Sequence, residues 1–276
     1  MRFLRDYAHS PVAVFGLVLL VLVIFMALSA GFFFPKNPLG LAGRPLQWPL
    51  SNPAFLFGTD HTGRDIAAQI FHGARVSLVI GLIATAIAIL IGILIGALSG
   101  YYGGVLDDVL MRITEAFQIL PNFLLLLVFV AVFGSEFQTV TVAIGVVSWP
   151  PVARLTRAEF LSLRNREFVQ AGRTLGMSDA RLIFREILPN ALPSVVVYSS
   201  VILAIAILLE SALAFLNLSD PNIPSWGNLI GGGRNVLRVE WYISAIPGVA
   251  ILLTVLAVSL VGQGLNDALN PRLQKQ

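Results

Sequence analysis

Six stretches of this chain run too far without a charge to be hidden together inside a water-soluble fold. Residues 10–35, 76–106, 116–135, 137–153, 187–209 and 241–266 contain no Asp, Glu, Lys or Arg, and the fifth resumes past Glu210 to residue 218. The hydrocarbon core of a bilayer, about 30 Å thick, is crossed by about 20 helical residues. Hydrophobic residues make up 57% of the chain and charged ones 12%, against about 25% charged in soluble domains. A soluble chain of 276 residues lacks the interior to bury that much apolar surface. The expectation is an all-α integral membrane protein with six transmembrane helices.

The fourth run is the weakest, because Pro150 and Pro151 remove backbone donors and kink or break a helix. It is read as a span kinked near its end. The first run, preceded by Arg2 and Arg5, exceeds the 7–15 apolar residues usual in a signal peptide and is read as an uncleaved anchor. Orientation follows the positive charges. Arg154, Arg157, Arg164, Arg166, Arg173, Arg181 and Arg185 crowd the segment between the fourth and fifth runs, which places it in the cytoplasm. Six spans then put both termini there too, as Arg2, Arg5, Arg272 and Lys275 suggest. Segments 36–74 and 217–240 fall outside. The net charge of +3 reflects this flanking pattern, and no nucleic-acid partner is expected.

Gly92, Gly96 and Gly100 stand four apart and would form a flat strip for close helix packing. Pro121 and Pro247 would kink or end their helices. Arg112 and Glu115 share a face and could pair. Glu210 is the acidic residue inside a long apolar run. Intramembrane carboxylates are functional candidates, but its place toward the outer end suggests an interfacial group reaching water or an arginine.

Catalytic chemistry finds no support. A phosphate loop needs a lysine after glycine, and the two lysines, Lys36 and Lys275, have no such neighbour. His9, His61 and His72 lack zinc-protease spacing, and there is no GxSxG elbow. With no cysteine, disulfides and thiolate metal sites are excluded. Neither a catalytic residue nor a metal ligand is assigned.

The segment after the fourth run carries the most local information. Residues 166–175 read as a helix ended by Gly176, suited to a left-handed position. Ser178 or Asp179 then caps a second helix running to about Leu188, with Pro189 stopping it or opening the next span. Such a helical hairpin fits a groove on a partner.

Residues 170–189 of this hairpin resemble the EAA loop of binding-protein-dependent ABC importer permeases. Ala171, Gly176, Leu188 and Pro189 stand at the matching places. Gln170 replaces the glutamate, Gly172 the second alanine and Glu186 the apolar residue, for which Ile187 can stand in. The stretch FGTDHTGRDIAAQIFHGARVSL is similar to the segment before the second span of the peptide/nickel permeases, through Gly58, Thr59, Asp60, Gly63, Arg64 and Asp65. SWGNLI and IPGVAILLTVLAVSLVGQGLNDALNPRL look like that family's ending. The likeness covers residues 12–273 and is nearest the "C" type of dipeptide, oligopeptide and nickel systems.

This resemblance implies the type I ABC importer permease fold. A first helix and periplasmic segment would occupy residues 1–72. The five-helix core, residues 73–267, would include a coupling loop at about 163–189, with a cytoplasmic tail at 268–276. It implies a multi-pass bacterial inner-membrane subunit without bound cofactor, ATP and Mg being held by partner ATPases. The partners would be a homologous second permease, two ATPase subunits and a periplasmic or lipid-anchored binding protein. Peptide is the first expectation for substrate, and nickel, glutathione or opines are alternatives. The readings outside the family are an ion-coupled secondary transporter and a structural membrane protein.

Overall fold

The computed structural model describes Tyr7 and residues 10–269. Arg2, Arg5, Arg272 and Lys275, and most of the expected tail, lie outside the described residues. The secondary structure is helical: α1 (Pro11–Phe33), α2 (Ile66–Tyr102), α3 (Gly104–Ile119), α4 (Asn122–Phe133), α5 (Phe137–Leu163), α6 (Glu167–Thr174), α7 (Asp179–Phe215), α8 (Trp226–Gly233) and α9 (Tyr242–Leu269). Among the described residues the nearest thing to a strand is an isolated bridge between Thr59 and Asp65.

The glycine strip sets the central contact. A Cβ on Gly92 would lie 2.5 Å from the Val152 Cβ, one on Gly96 2.4 Å from the Ala153 carbonyl oxygen, and one on Gly100 2.6 Å from the Phe160 Cβ. Helices α2 and α5 therefore run parallel with backbones nearly touching, which is how helices gain dispersion contacts where lipid removes the hydrophobic drive. Helix α7 runs against both. Its early residues Ile183 and Ala191 pack with Ala97, Tyr101 and Phe160, and its late residues Ala206 and Leu213 with Ile80 and Val140. Helices α1 and α9 pair antiparallel, Gly16 against Leu260 and Gly264 against Ala13.

Among the described residues four helices are long and apolar enough to cross a membrane: α1, α2, α7 and α9. The pair α3–α4, bent by 84°, makes a fifth if counted as one span. The expected continuous third span over 116–135 is thus broken. Pro121 carries extended backbone (ψ 130) and the helix before it reaches back to Gly104. Helix α5, the expected fourth span, falls short of that apolarity and yet lies at the centre, with Ile144, Val147, Val152 and Ala153 buried. A helix shielded by protein needs less apolar surface than one facing lipid.

Two expected boundaries are corrected. Helix α2 starts at Ile66, ten residues before position 76, because Asp65 caps it, its Oδ1 accepting from Ala67 N at 2.8 Å. Helix α5 continues through Pro150 and Pro151 to Leu163, since neighbouring helices tolerate the freed carbonyls. Pro189 stands in the first turn of the α-helical stretch Leu188–Phe215 and so opens it, one of its two expected roles. Leu182–Ile187 is a π-helical turn, and Leu188 N bonds Ile183 O, five residues back. The wider turn makes room for the proline ring, which in an α-helix clashes with the carbonyl four residues earlier. The Asn190 side chain donates to Glu186 O at 2.6 Å.

Candidate functional site

The two groups of residues singled out in the sequence lie at opposite ends of the bundle. The hairpin 164–187 sits where α2 and α5 end and α7 begins. Helix α6 is closed by a Schellman motif. Met177 N donates to Gly172 O at 3.1 Å and Gly176 N to Arg173 O at 3.0 Å, with Gly176 at φ +73°. That left-handed backbone suits glycine, and a Cβ there would meet nothing within 4 Å, so the requirement is conformational and not spatial. Gly172 is spatial. A Cβ on it would lie 2.7 Å from Leu182 Cδ2, so its lack of a side chain lets α6 rest on α7.

One face of the hairpin is buried and the other free. Val169, Leu182, Ile183 and Ile187 pack on Ala97, Tyr101 and Phe160. Gln170, Ala171, Gly176 and Pro189 are exposed and Leu188 is half-buried. Leu175 is 78% exposed and Phe184 59%.

Side chains outside the motif fix this shape. The Tyr101 hydroxyl, at the end of α2, donates to Asp179 Oδ1 at 2.6 Å, and the Arg173 guanidinium lies over its ring, 5.5 Å from the centroid. Arg164 Nη1 donates to Gly100 O at 3.1 Å, satisfying a carbonyl at the end of α2. Arg157 grips Asp107 with two bonds of 2.6 Å, Nε to Oδ1 and Nη2 to Oδ2, and Ser99 Oγ also donates to Asp107. This clamp joins α2, α3 and α5. It is the salt bridge among the described residues, in place of the expected pair Arg112–Glu115. Arg157 and Asp107 are 50 residues apart, and no local spacing announces them. A tyrosine in a Tyr-Tyr-Gly-Gly ending after a span was the available signal for Tyr101.

At the other end the segment 58–65 makes a closed turn. Gly58 (φ +77°) and Gly63 (φ +87°) adopt backbone that other residues resist. Thr59 Oγ1 donates to Arg44 O at 2.6 Å and accepts from Gln47 N at 3.0 Å. Asp60 Oδ1 accepts from Thr62 N, Thr62 Oγ1 and Arg64 N, and its Oδ2 from Gln69 Nε2. Half-burial pushes the Asp65 carboxyl above the usual carboxylate range, against the pull of the Ala67 and Ala68 amides. Tyr242 of α9 donates to Gln47 O and Thr59 O at 3.0 and 3.2 Å, and Trp226 Nε1 of α8 to Ile70 O at 2.9 Å.

Glu210 lies at this same end, but its expected reach to water or an arginine is corrected. It is 1% exposed and meets no arginine. Ser211 Oγ lies 3.4 Å from its Oε2 and the Ser225 hydroxyl also hydrogen-bonds it. Its carboxylate faces a small cavity of about 10 Å³ shared with Asp220 and Asn228. A larger cavity of about 170 Å³ is lined by Asp60, His61, Arg64, Gln69, Asn217 and Asn228. Among the described residues no three His, Asp or Glu side chains stand close enough to hold a metal ion.

Residues 88–275 match the family described as "Binding-protein-dependent transport system inner membrane component". The chain is 41% identical to the dipeptide transport system permease protein of Escherichia coli (strain K12), over 99% of this chain and 93% of that one. It is 37% identical to the di/tripeptide transport system permease protein of Pseudomonas aeruginosa (strain UCBPP-PA14), over 99% and 92%. A putative peptide permease of Brucella suis biovar 1 is 38% identical over 99% and 90%. In fold it resembles a chain of the MetNI methionine ABC transporter in an inward-facing conformation, with a TM-score of 0.60 and 17% identity, covering 73% of this chain and 97% of that one. The chain belongs to the family of inner-membrane components of binding-protein-dependent ABC transport systems.

Proposed function

We propose that this chain is the permease subunit of a peptide importer, and that the hairpin 164–187 is where partner ATPases drive it. The observation that carries this reading is the two-sided hairpin. Its inner face is locked to α2 and α5 through Tyr101, Val169 and Leu182, and its outer face presents Leu175 and Phe184 to solvent. A pushed element must be stiff toward the body it moves and open toward what pushes it. Two ATPases would close on ATP, and the hairpins of this chain and a homologous second permease would carry that closure into the bundle. Alternating access requires that ATP favour one bundle state over the other, and a binding protein would deliver the peptide. ATP and Mg would sit on the partners.

Six spans are supported by the central position of α5 and by α3–α4 acting as one broken span. The hairpin end would then be cytoplasmic with both chain ends, and the segment 34–65 periplasmic. The substrate reading leans on the relatives named for dipeptide and di/tripeptide transport.

Two measurements test it. The chain has no cysteine, so Leu175→Cys should react with a membrane-impermeant maleimide only in inside-out vesicles. Labelling from the outer side would refute the orientation. Proteoliposomes holding both permeases, both ATPases and the binding protein should accumulate a labelled dipeptide with ATP, and excess nickel chelate should not compete. Uptake of nickel in preference to dipeptide would overturn the substrate.

A further inference from the structure

The turn 58–65 plays no part in the hairpin, and one of its side chains is left without a bond. Asp65, next to Arg64 in sequence, turns its carboxylate to the Ala67 amide as a helix cap, and Asp60 accepts from Thr62, the Arg64 amide and Gln69. The Arg64 guanidinium makes no salt bridge or hydrogen bond with either carboxylate. Its Nε is buried with no acceptor among the described residues. Buried donors are seldom left in that state unless something else supplies the acceptor. Arg64 borders the 170 Å³ cavity, and a guanidinium fork matches a carboxylate in plane and spacing.

A second observation fixes the kind of carboxylate. Ser225 and Asn228 line both this cavity and the small one containing Glu210 and Asp220. The cavity bordered by Arg64 and Asp60 and the one containing Glu210 and Asp220 thus share a partition. The acidic side has room for about one water-sized group, the size of an ammonium head. We infer that the cavity beside Arg64 is a carboxylate-binding site that takes the free C-terminus of a short zwitterionic peptide, with the peptide's ammonium end toward Glu210 and Asp220. The site would hold peptide at the mouth of the bundle after release from the binding protein. This inference rests on the peptide-importer reading and adds a named site to it.

The test uses the assembled complex of both permeases and both ATPases in nanodiscs, without binding protein. Saturation-transfer NMR compares alanyl-alanine with its C-terminal amide on the wild type, Arg64→Gln and Arg64→Lys. The expected result is that the wild type binds the free acid at least tenfold better than the amide. Arg64→Gln should erase that preference and Arg64→Lys should restore part of it, with subunit co-purification unchanged. Equal binding of acid and amide by the wild type overturns the site. So does Arg64→Gln keeping the preference, or, in a separate pull-down with the binding protein added, weakening capture of that protein while leaving peptide binding intact, because the carboxylate would then belong to the binding protein. ATP-driven dipeptide uptake by the wild type is measured alongside. Failure of uptake removes the peptide reading itself, whereas normal uptake with an indifferent Arg64 removes only this site.

Discussion

The two ends of the bundle are held by opposite means. At the end bearing Thr59 and Asp60, the chain closes on itself. Backbone and side-chain bonds run among residues 44–69, Tyr242 pins that segment to α9, and Trp226 pins the adjoining start of α2 to α8. At the hairpin end the chain is half finished. One face is packed on Tyr101 and Phe160, and the other offers Leu175 and Phe184 to whatever arrives. An end built to keep its shape can present a recess such as that beside Arg64. An end built to be pushed must leave surface uncovered. The contrast shows where stiffness is needed, and substitutions at either end can break it.

The largest effect is expected where both ends share a support. Gly96→Val drives a branched side chain into the Ala153 carbonyl and Thr156. Overpacking a tight contact costs about 1–3 kcal/mol and at times more, so thermal unfolding in detergent should fall by several degrees and both ends should loosen together. Next comes Arg157→Ala. It strands Asp107, which stays mostly buried. Breaking a buried pair costs about 3–5 kcal/mol, and the half-exposed arginine should bring this to about 2 kcal/mol. Hydrogen exchange should quicken in α3 and at the end of α2, not in residues 44–69. Thr59→Val removes a donor and an acceptor from the closed turn and should cost about 1–2 kcal/mol, with faster exchange confined to residues 44–65. Tyr101→Phe is the mildest. It deletes one hydrogen bond to a carboxylate, worth about 1–2 kcal/mol locally. Exchange should rise in α6 alone, and uptake per ATP should drop while complex assembly persists. If Thr59→Val loosened the hairpin, or Tyr101→Phe the turn, the two ends would not be separate units.

Much of this was legible in the residues because lipid imposes long uncharged runs, and Gly176 and Pro121 punctuate them where backbone demands it. The glycine strip in α2 foretold a close partner but not that α5 would be that partner. The early start of α2 was hidden because residues 66–75 carry Gln69, His72 and Arg75, polar groups that read as loop. Gln69 is buried on Asp60 and His72 hydrogen-bonds Phe34 O at 2.9 Å. The clamp Asp107–Arg157 joins distant parts of the chain, and the π turn before Pro189 depends on a detail of hydrogen bonding that composition does not encode. Glu210 looked interfacial by its offset along the run, and only the fold of α8 over it, bringing Ser225, explains its burial.

The central claim is that the hairpin passes the ATPases' closure to the bundle, and Gly176 offers the most direct test. No atom lies near its missing Cβ, so a substitution acts through backbone alone. At φ +73° a β-branched residue is strained by about 1–2 kcal/mol, whereas asparagine tolerates the left-handed region. ATP hydrolysis and dipeptide uptake should be measured side by side in proteoliposomes of the complete complex carrying Gly176→Val or Gly176→Asn. The account predicts that the valine variant hydrolyses ATP with uptake reduced at least fivefold, and that the asparagine variant keeps the wild-type ratio. Wild-type uptake per ATP by an assembled valine variant would contradict it.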